Sequence, residues 1–149
     1  MRIVEDCDLM ARDRRVLNNL MIMAQDVTPV RGAKIASAMV YKNSIISFGI
    51  NQFRSHPLQA KFGKNSDAIF LHSEIDCIRN AVNRHSASLL NRSTLFIYRA
   101  RRFSGGKSHW CSGSASPCSG CTKAIAAFDI RRVVASTDSP GIYEVWESQ

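Results

Sequence analysis

The sequence lacks the features that would place it in a membrane, in a secretory compartment or among repeat proteins. No segment approaches the roughly 20 consecutive apolar residues that a membrane-spanning helix needs. The first ten residues carry acidic side chains and no continuous apolar stretch, so no secretory signal is expected there. No internal repeat, low-complexity tract or linker is present. These absences predict a cytoplasmic protein in which residues 1–149 form a single domain with no membrane partner.

Cysteine is scarce and odd in number. The five cysteines are Cys7, Cys77, Cys111, Cys118 and Cys121. Disulfides persist mainly in oxidising compartments, and nothing in the sequence directs the chain to one. The cysteines are therefore expected to be free thiols or metal ligands rather than a disulfide framework.

Acidic residues are outnumbered by basic ones, with 20 Lys and Arg against 12 Asp and Glu and a net charge of +8. A basic balance favours anionic partners such as nucleotides or nucleic acid. A protein with a generally basic surface explains the same charge equally well. Composition alone does not choose between these interpretations.

Hydrophobic periodicity predicts alternating helices and strands. The predicted helices cover residues 8–25, 71–85 and 117–128, and the predicted strands cover 33–41, 44–50, 95–98, 132–136 and 142–146. Two polar segments, 51–70 and 99–116, are expected to be long loops, which are usually functional or mobile. A hairpin followed by helices alternating with strands predicts an α/β fold. We expect a three-layer α-β-α sandwich with a mixed central sheet, parallel where helices cross over.

Two short motifs carry the chemistry. They are His72-Ser73-Glu74 and Pro117-Cys118-Ser119-Gly120-Cys121, which together give the pattern H-x-E…P-C-x-x-C. Cysteines three positions apart at a helix start place both sulfurs on one side, where exposed N–H groups favour the thiolate. With His72 at the start of the other helix, Cys118 and Cys121 complete three ligands for a zinc ion. The fourth position stays open for water, within reach of an unligated Glu74.

Other interpretations of these motifs exist. A lone C-x-x-C is also typical of a redox pair or of half a structural zinc site. A closed structural site would need a fourth ligand, for which Cys111 and His109 are available. The complete pattern is more restrictive than either half, and a structural site has no use for the Glu74 carboxylate. The pattern therefore favours a catalytic site over a zinc-stabilised binding module without activity.

The motifs and their surroundings resemble the cytidine/deoxycytidylate deaminase superfamily, over residues from about 33 to 136. Gly49-Ile50-Asn51 looks like the G-x-N that closes the second strand in many members. Residues 72–81 (HSEIDCIRNA) are similar to the family's H-A-E helix, with Ser73 in place of the commoner Ala. Residues 116–127 are similar to its P-C-x-x-C helix. The stretch between the motifs is longer here, because the 99–116 segment is extended.

The resemblance implies hydrolytic deamination with Zn²⁺ held by His72, Cys118 and Cys121. Glu74 would move protons between the attacking water, the ring nitrogen and the leaving ammonia. The backbone around Ser73 and Ser116 would hold the edge of the base, and Asn51 would hydrogen-bond the sugar; an Asn that merely ends a hairpin strand is the alternative. Family members commonly associate, so a homo-oligomer is expected.

A free cytosine nucleotide is the favoured substrate, with conversion of dCMP to dUMP first. A phosphate needs one or two cationic side chains. Arg54 is the predicted substrate contact among the cationic side chains of the two predicted loops. These six side chains are Arg54, Lys61, Lys64, Arg99, Arg101 and Arg102. Most of these are equally well explained as solvated surface charges.

Polynucleotide is the second substrate class, either adenosine in tRNA or cytosine in a single strand, and free cytidine is a third. The S-x-S-P-C string at 114–118 looks like that of the polynucleotide cytidine deaminases. A flipped base also needs aromatic stacking. The candidates are Phe53, Phe62, Tyr98 and Trp110, although core packing explains Phe and Tyr as well.

Overall fold

The protein is described here from a computed structural model, which covers residues 1–30, 32–63, 70–102 and 109–148. The strands are β1 (Arg2–Glu5), β2 (Lys34–Tyr41), β3 (Ser44–Ile50), β4 (Ser93–Arg102), β5 (Trp110–Gly113), β6 (Arg132–Ser136) and β7 (Ile142–Glu147). The helices are α1 (Ala11–Gln25), α2 (Pro57–Phe62), α3 (Ser73–Arg84) and α4 (Ser119–Ala127). Short 3₁₀ segments occupy Asp6–Asp8 and Ala87–Arg92.

The strands form one mixed sheet in the order β1-β7-β6-β4-β2-β3, and β5 pairs with the far end of β4. β4 and β6 are parallel and are separated in the chain by α4. The other pairs are antiparallel, beginning with the predicted β2–β3 hairpin. A parallel pair needs a crossover, which α4 supplies, so the sequence-based prediction of a mixed sheet is confirmed.

Helices cover both faces of the sheet, which gives the three predicted layers. Side chains along a strand alternate between faces, so β4 sends Phe96 and Tyr98 towards α1 and Leu95 and Ile97 towards α3 and α4. The apolar face of α1 is buried at Val16, Leu17, Leu20 and Ala24. The two hydrophobic clusters therefore lie on opposite sides of one sheet.

Three elements were not predicted from the sequence. β1 pairs with β7 at one edge of the sheet. The predicted loop 51–70 contains α2, and the predicted loop 99–116 contains the end of β4 together with β5. β5 forms because the end of β4 extends beyond β6 and offers free backbone groups to the chain that follows.

All three predicted helices begin two or three residues later in the structure, and α3 begins at Ser73. Helix α1 begins at Ala11 with Met10 at its N-cap, and Asp8 lies in the preceding 3₁₀ segment. Helix α4 begins at Ser119 rather than in the turn with Pro117. Cys118 takes the N-cap because its sulfur accepts a hydrogen bond from the Cys121 N–H, which leaves Pro117 outside the helix.

None of the helices in the described ranges combines the length and the hydropathy needed to cross a membrane.

Candidate active site

The starts of α3 and α4 lie side by side and carry three metal-ligating side chains. His72 is the N-cap of α3, Cys118 is the N-cap of α4, and Cys121 lies in the first turn of α4. The His72 Nδ1 atom lies 3.5 Å from the Cys118 sulfur and 3.4 Å from the Cys121 sulfur. All three ligand atoms lie within 4.8 Å of one another. The fold thus brings together two motifs that are far apart in the sequence.

This spacing fits a zinc ion bound by all three side chains. A nitrogen and a sulfur bound to one tetrahedral zinc ion at the usual bond lengths are roughly 3.6 Å apart. The observed nitrogen–sulfur separations of 3.4 and 3.5 Å are close to that value. Imidazole and thiolate are also ligands that suit zinc. Zn²⁺ is therefore the cofactor that these residues would hold.

No further His, Cys, Asp or Glu atom joins this cluster within the part of the chain that the structure describes. Cys111 lies on β5, where its thiol donates to the Arg101 carbonyl at 3.5 Å. His109 is exposed. Neither candidate for a closed structural site is in place. Three protein ligands are the number found in catalytic zinc sites, which keep one position open.

Hydrogen bonding among the protein groups alone favours a thiolate at Cys118. Hydrogen bonds from the Cys121 thiol and from His72 lower the pKa of Cys118 to about 3. The same bond to Cys118 raises the pKa of His72 above its usual value, while burial opposes this and the Glu74 charge adds to it. Cys118 is therefore charged at neutral pH, as a zinc ligand must be.

Glu74 is 5% exposed and lies in the first turn of α3, where helix N-termini favour negative charge. Its Oε1 atom accepts a hydrogen bond of 2.7 Å from the Ser73 hydroxyl. The Ser73 oxygen lies 2.7 Å from the hydroxyl of Ser37, a fully buried residue of β2. Since Ser73 donates its only proton to Glu74, Ser37 donates to Ser73. Ser37 was not predicted as a site residue, because only the packing of β2 against α3 brings it to Ser73.

Glu74 differs from the other buried carboxylates of the described residues in having no cationic side chain bonded to it. Asp13 forms ion pairs with Arg12 and Arg132, and Asp76 forms one with Arg79. The Glu74 charge does, however, contribute to the raised pKa of Cys121, after the hydrogen bond to Cys118 and burial. Its carboxylate therefore faces the ligand cluster without being neutralised by a lysine or arginine.

The start of α3 is fixed on β3 by close backbone contact at Gly49. A Cβ atom added to Gly49 would lie 2.2 Å from the Ser73 carbonyl oxygen and 2.4 Å from the Cys77 nitrogen. Asp76 adds a polar connection, since its Oδ2 atom accepts from the Ile50 N–H and from the Gln52 side chain, each at 3.0 Å. These contacts explain physically why Gly precedes the end of this strand.

Helix α2 holds the metal-ligating histidine from the other side. Gln59 is 1% exposed, and its Oε1 atom accepts a hydrogen bond of 2.9 Å from the His72 backbone N–H. Gln59 is not predicted as a site residue from the sequence, because residues 51–70 are predicted to form a loop and not to contain a helix. The local signal was present in Pro57 at the first turn and in His56, whose Nδ1 accepts from the Leu58 N–H as an N-cap.

The other predicted substrate contacts lie on three different segments of the chain. Asn51 is buried after β3, with its amide accepting from Ile35 N–H at 2.9 Å and donating to the Ala33 carbonyl at 2.8 Å. Ser116 is exposed before α4 and donates to Glu144 of β7. Arg54 is exposed beyond Asn51. The roles of Asn51, Ser73, Ser116 and Arg54 towards a substrate stay predictions.

The candidate stacking residues differ in exposure. Tyr98 is buried in the α1-side cluster, and Phe62 packs on Phe128 with ring centroids 6.4 Å apart. The Trp110 ring contacts two cations, with Lys34 Nζ 4.7 Å and the Arg102 guanidinium carbon 4.8 Å from the ring centroid. Phe53 alone of the four candidates is largely exposed, at 57%.

Among the candidate phosphate partners, Lys61 is exposed on α2. Lys64 lies outside the described residues. The three arginines of β4, Arg99, Arg101 and Arg102, are in different surroundings.

Solved structures of similar fold include two of a dCMP deaminase from the cyanophage S-TIM5. The apo form has 21% identity and a TM-score of 0.56, with 89% of each chain covered. The form in complex with dCMP and dUMP has 20% identity and a TM-score of 0.52, with 85% of this chain and 82% of that chain covered. Likeness at this level of identity supports the fold.

A third structure comes from work on A-to-I editing by tRNA:A34 deaminases. It has 18% identity and a TM-score of 0.49, with 83% of this chain and 75% of that chain covered. A similarity this loose favours no particular substrate. No match was found among curated proteins.

A family model described as the cytidine and deoxycytidylate deaminase zinc-binding region matches residues 10–137. The match includes His72, Glu74, Cys118 and Cys121, the residues that the fold brings together. It also covers most of the chain. The chain therefore belongs to the cytidine and deoxycytidylate deaminase family and is a zinc-dependent deaminase.

Proposed function

We propose that this protein hydrolyses the exocyclic amino group of a cytosine nucleotide, with dCMP as substrate and dUMP and ammonia as products. The observation that carries the proposal is the buried Glu74 carboxylate, which lies beside a set of three metal ligands and to which no cationic side chain of the described residues is bonded. A carboxylate with that freedom can accept and return a proton.

In this proposal His72, Cys118 and Cys121 hold Zn²⁺, which when bound makes water a stronger nucleophile at neutral pH. Glu74 accepts a proton from the attacking water and delivers it to N3 of the cytosine ring as the oxygen bonds to C4. Glu74 then takes the remaining proton from the new hydroxyl at C4 and transfers it to the amino group. The C4–N bond breaks, the C4 carbonyl forms and ammonia leaves. One water is consumed, and the carboxylate returns to its starting state.

The Ser37–Ser73 pair would keep the Glu74 carboxylate oriented during both transfers. The Ser73 hydroxyl binds Oε1 of Glu74 at 2.7 Å, and the Ser37 hydroxyl orients Ser73 at the same distance. In the proposal the other Glu74 oxygen, Oε2, carries the protons. Asn51 stands at the same edge of the sheet and is the proposed contact for the sugar. The Ser73 and Ser116 backbone is the proposed contact for the base, and exposed Arg54 is a further candidate contact.

The net charge of +8 is compatible with an anionic substrate such as dCMP. The cyanophage protein of similar fold has been solved with dCMP and dUMP, which makes this pair the first to test. A polynucleotide substrate is the second candidate. The exposed ring of Phe53 favours this candidate, because an exposed aromatic ring can stack on a base. Phe53 follows Gln52, whose backbone pairs with that of Leu71, and Leu71 precedes His72.

Ammonia release tests the proposal directly. The purified protein would be assayed with cytidine, CMP, dCMP, dCTP and a cytosine-containing single-stranded oligonucleotide. The highest kcat/KM is expected for dCMP. Turnover of the oligonucleotide alone, with binding that falls steeply with salt, would replace the leading substrate with the second candidate. Turnover of none of these compounds by zinc-loaded protein would contradict both.

A further inference from the structure

The three arginines of β4 differ in the face of the sheet they occupy. Arg99 pairs with Ile35 on β2, and Ile97 pairs with Ser37. Cross-strand partners share a face, and so do residues two apart on one strand. Arg99 is therefore on the same face as Ser37, which contacts Ser73 beside Glu74. Diagonal neighbours of this kind are roughly 7–8 Å apart, within the reach of an arginine side chain.

Arg99 also lies at the edge of the sheet where the predicted sugar contact stands. The Ile35 N–H donates to the Asn51 side chain at 2.9 Å, and Ile35 is the direct partner of Arg99. Asn51, Ile35 and Arg99 are therefore successive neighbours across the sheet. A nucleotide with its base at Glu74 and its sugar at Asn51 would extend along this edge.

The other two arginines of the strand are engaged elsewhere. Arg101 donates to the Ser112 carbonyl at 2.9 Å and forms an ion pair with Asp138 at 3.6 Å. Arg102 is on the opposite face, where its guanidinium lies 4.8 Å from the ring centroid of Trp110. Neither has a free guanidinium facing the site.

Among the described residues, Arg99 has no such partner: its buried Nε atom makes no hydrogen bond, and no acidic side chain pairs with its guanidinium. A buried donor without an acceptor is uncommon in folded proteins and calls for an explanation. An anionic ligand that accepts from the guanidinium would satisfy it.

Gly113 of β5 makes room for this arginine. It is the direct partner of Arg99, and a Cβ atom added to it would lie 3.0 Å from the Arg99 Cδ and 3.1 Å from its Cγ. The arginine stem therefore lies directly across Gly113. The unpredicted β4–β5 extension thus shapes the surroundings of Arg99.

We propose that Arg99 binds the phosphate of the nucleotide substrate and so sets the preference for nucleotide over nucleoside. The inference rests on the proposed function and adds the residue that reads the phosphate. The planar guanidinium fork matches phosphate oxygens in two parallel hydrogen bonds. The phosphate belongs to a free mononucleotide in the leading case and to a strand in the second.

Equilibrium binding of dUMP and deoxyuridine tests Arg99 without turnover. The wild-type protein should bind dUMP more tightly than deoxyuridine by roughly 10- to 100-fold, as expected for charge-assisted hydrogen bonds. Arg99→Gln should lose most of this ratio by weakening dUMP alone, and Arg99→Lys should retain part of it. The matched control Arg102→Gln removes the same charge from the opposite face and should keep the ratio.

In the comparison of dUMP with deoxyuridine, two results would overturn the proposal. One is an Arg99→Gln protein that keeps the wild-type ratio, and the other is equal weakening of both ligands. If the ammonia assay shows turnover of the oligonucleotide alone, the same variants are compared for oligonucleotide affinity. Selective loss in Arg99→Gln would then support phosphate binding by Arg99 although dCMP had failed as substrate. Equal affinity of Arg99→Gln and Arg102→Gln would reject it.

Discussion

Glu74 is the residue on which the proposed chemistry depends. Asp13 and Asp76 are also buried but form ion pairs with arginines, whereas Glu74 is held by a serine hydroxyl. Both oxygens of Asp13 and both oxygens of Asp76 accept hydrogen bonds from protein groups, so neither carboxylate is free to meet a substrate. The difference in partners separates the structural carboxylates from the catalytic candidate.

Replacing Glu74 by Gln should abolish turnover and leave zinc in place. The amide keeps the size of the side chain but cannot exchange a proton, so kcat should fall by at least roughly 10²- to 10⁴-fold. Ammonia release and zinc content per chain would be measured on the same preparation. Glu5→Gln, on exposed β1, is the matched control and should retain full activity. A fully active Glu74→Gln protein would show that another group moves the protons.

The sequence predicted His72, Glu74, Cys118 and Cys121 because their spacing is local to two helix starts. Ser37 and Gln59 were not predicted, because each is linked to the site by a single hydrogen bond from another element. Serine and glutamine at such positions have no distinctive spacing. Pairing between elements decides their roles, and one sequence does not contain that information.

Helix α2 is expected to support metal binding through Gln59. Truncation by Gln59→Ala would leave the His72 N–H without its acceptor and open a gap between α2 and α3. Zinc affinity should fall roughly 10- to 100-fold, as is typical when a group that orients a metal ligand is removed. Competition with a chromophoric chelator measures this. Lys61→Ala, exposed on the same helix, should match the wild type, and an unchanged affinity in Gln59→Ala would contradict the assigned role.

The contact between β3 and α3 is expected to tolerate no side chain at Gly49. Gly49→Ala would force a methyl group against the backbone of Ser73 and Cys77, so α3 must move. The cost should be at least about 1–3 kcal/mol of unfolding free energy. Denaturant unfolding would measure it, with zinc content as a second readout.

Gly113→Ala is the comparison, because its methyl group meets only arginine side chains that can adjust. It should cost less unfolding free energy than Gly49→Ala. Equal stability of Gly49→Ala and the wild type would mean that the helix does not sit as closely on the strand as the structure shows.

At the level of elements, the long periodic segments were predictable and the short ones were not. Helices α1 and α3 carry apolar residues at helical spacing over several turns. β1 has four residues and β5 has four, too few for a pattern of alternation to emerge. Their pairing with longer strands, rather than local preference, makes them strands.

For the whole molecule, we expect assembly into a homo-oligomer, as the family resemblance predicts. The outer face of α1 exposes Met21 and Ile22, and Met10 is exposed just before it. Covering these side chains would remove apolar surface from water. Sedimentation velocity should therefore give a mass that is a multiple of one chain, and Ile22→Glu should lower it if α1 is the contact. The mass of a single chain for the wild type would contradict the prediction.

The central claim is that His72, Cys118 and Cys121 bind one zinc ion and leave one position open beside Glu74. Zinc K-edge X-ray absorption on the purified protein tests it most directly. The expected result is one zinc per chain, with two sulfur ligands at about 2.3 Å and two nitrogen or oxygen ligands at about 2.0–2.1 Å. Three or four sulfur ligands would indicate a closed structural site and would contradict the claim. A purified protein that binds no zinc would also contradict it.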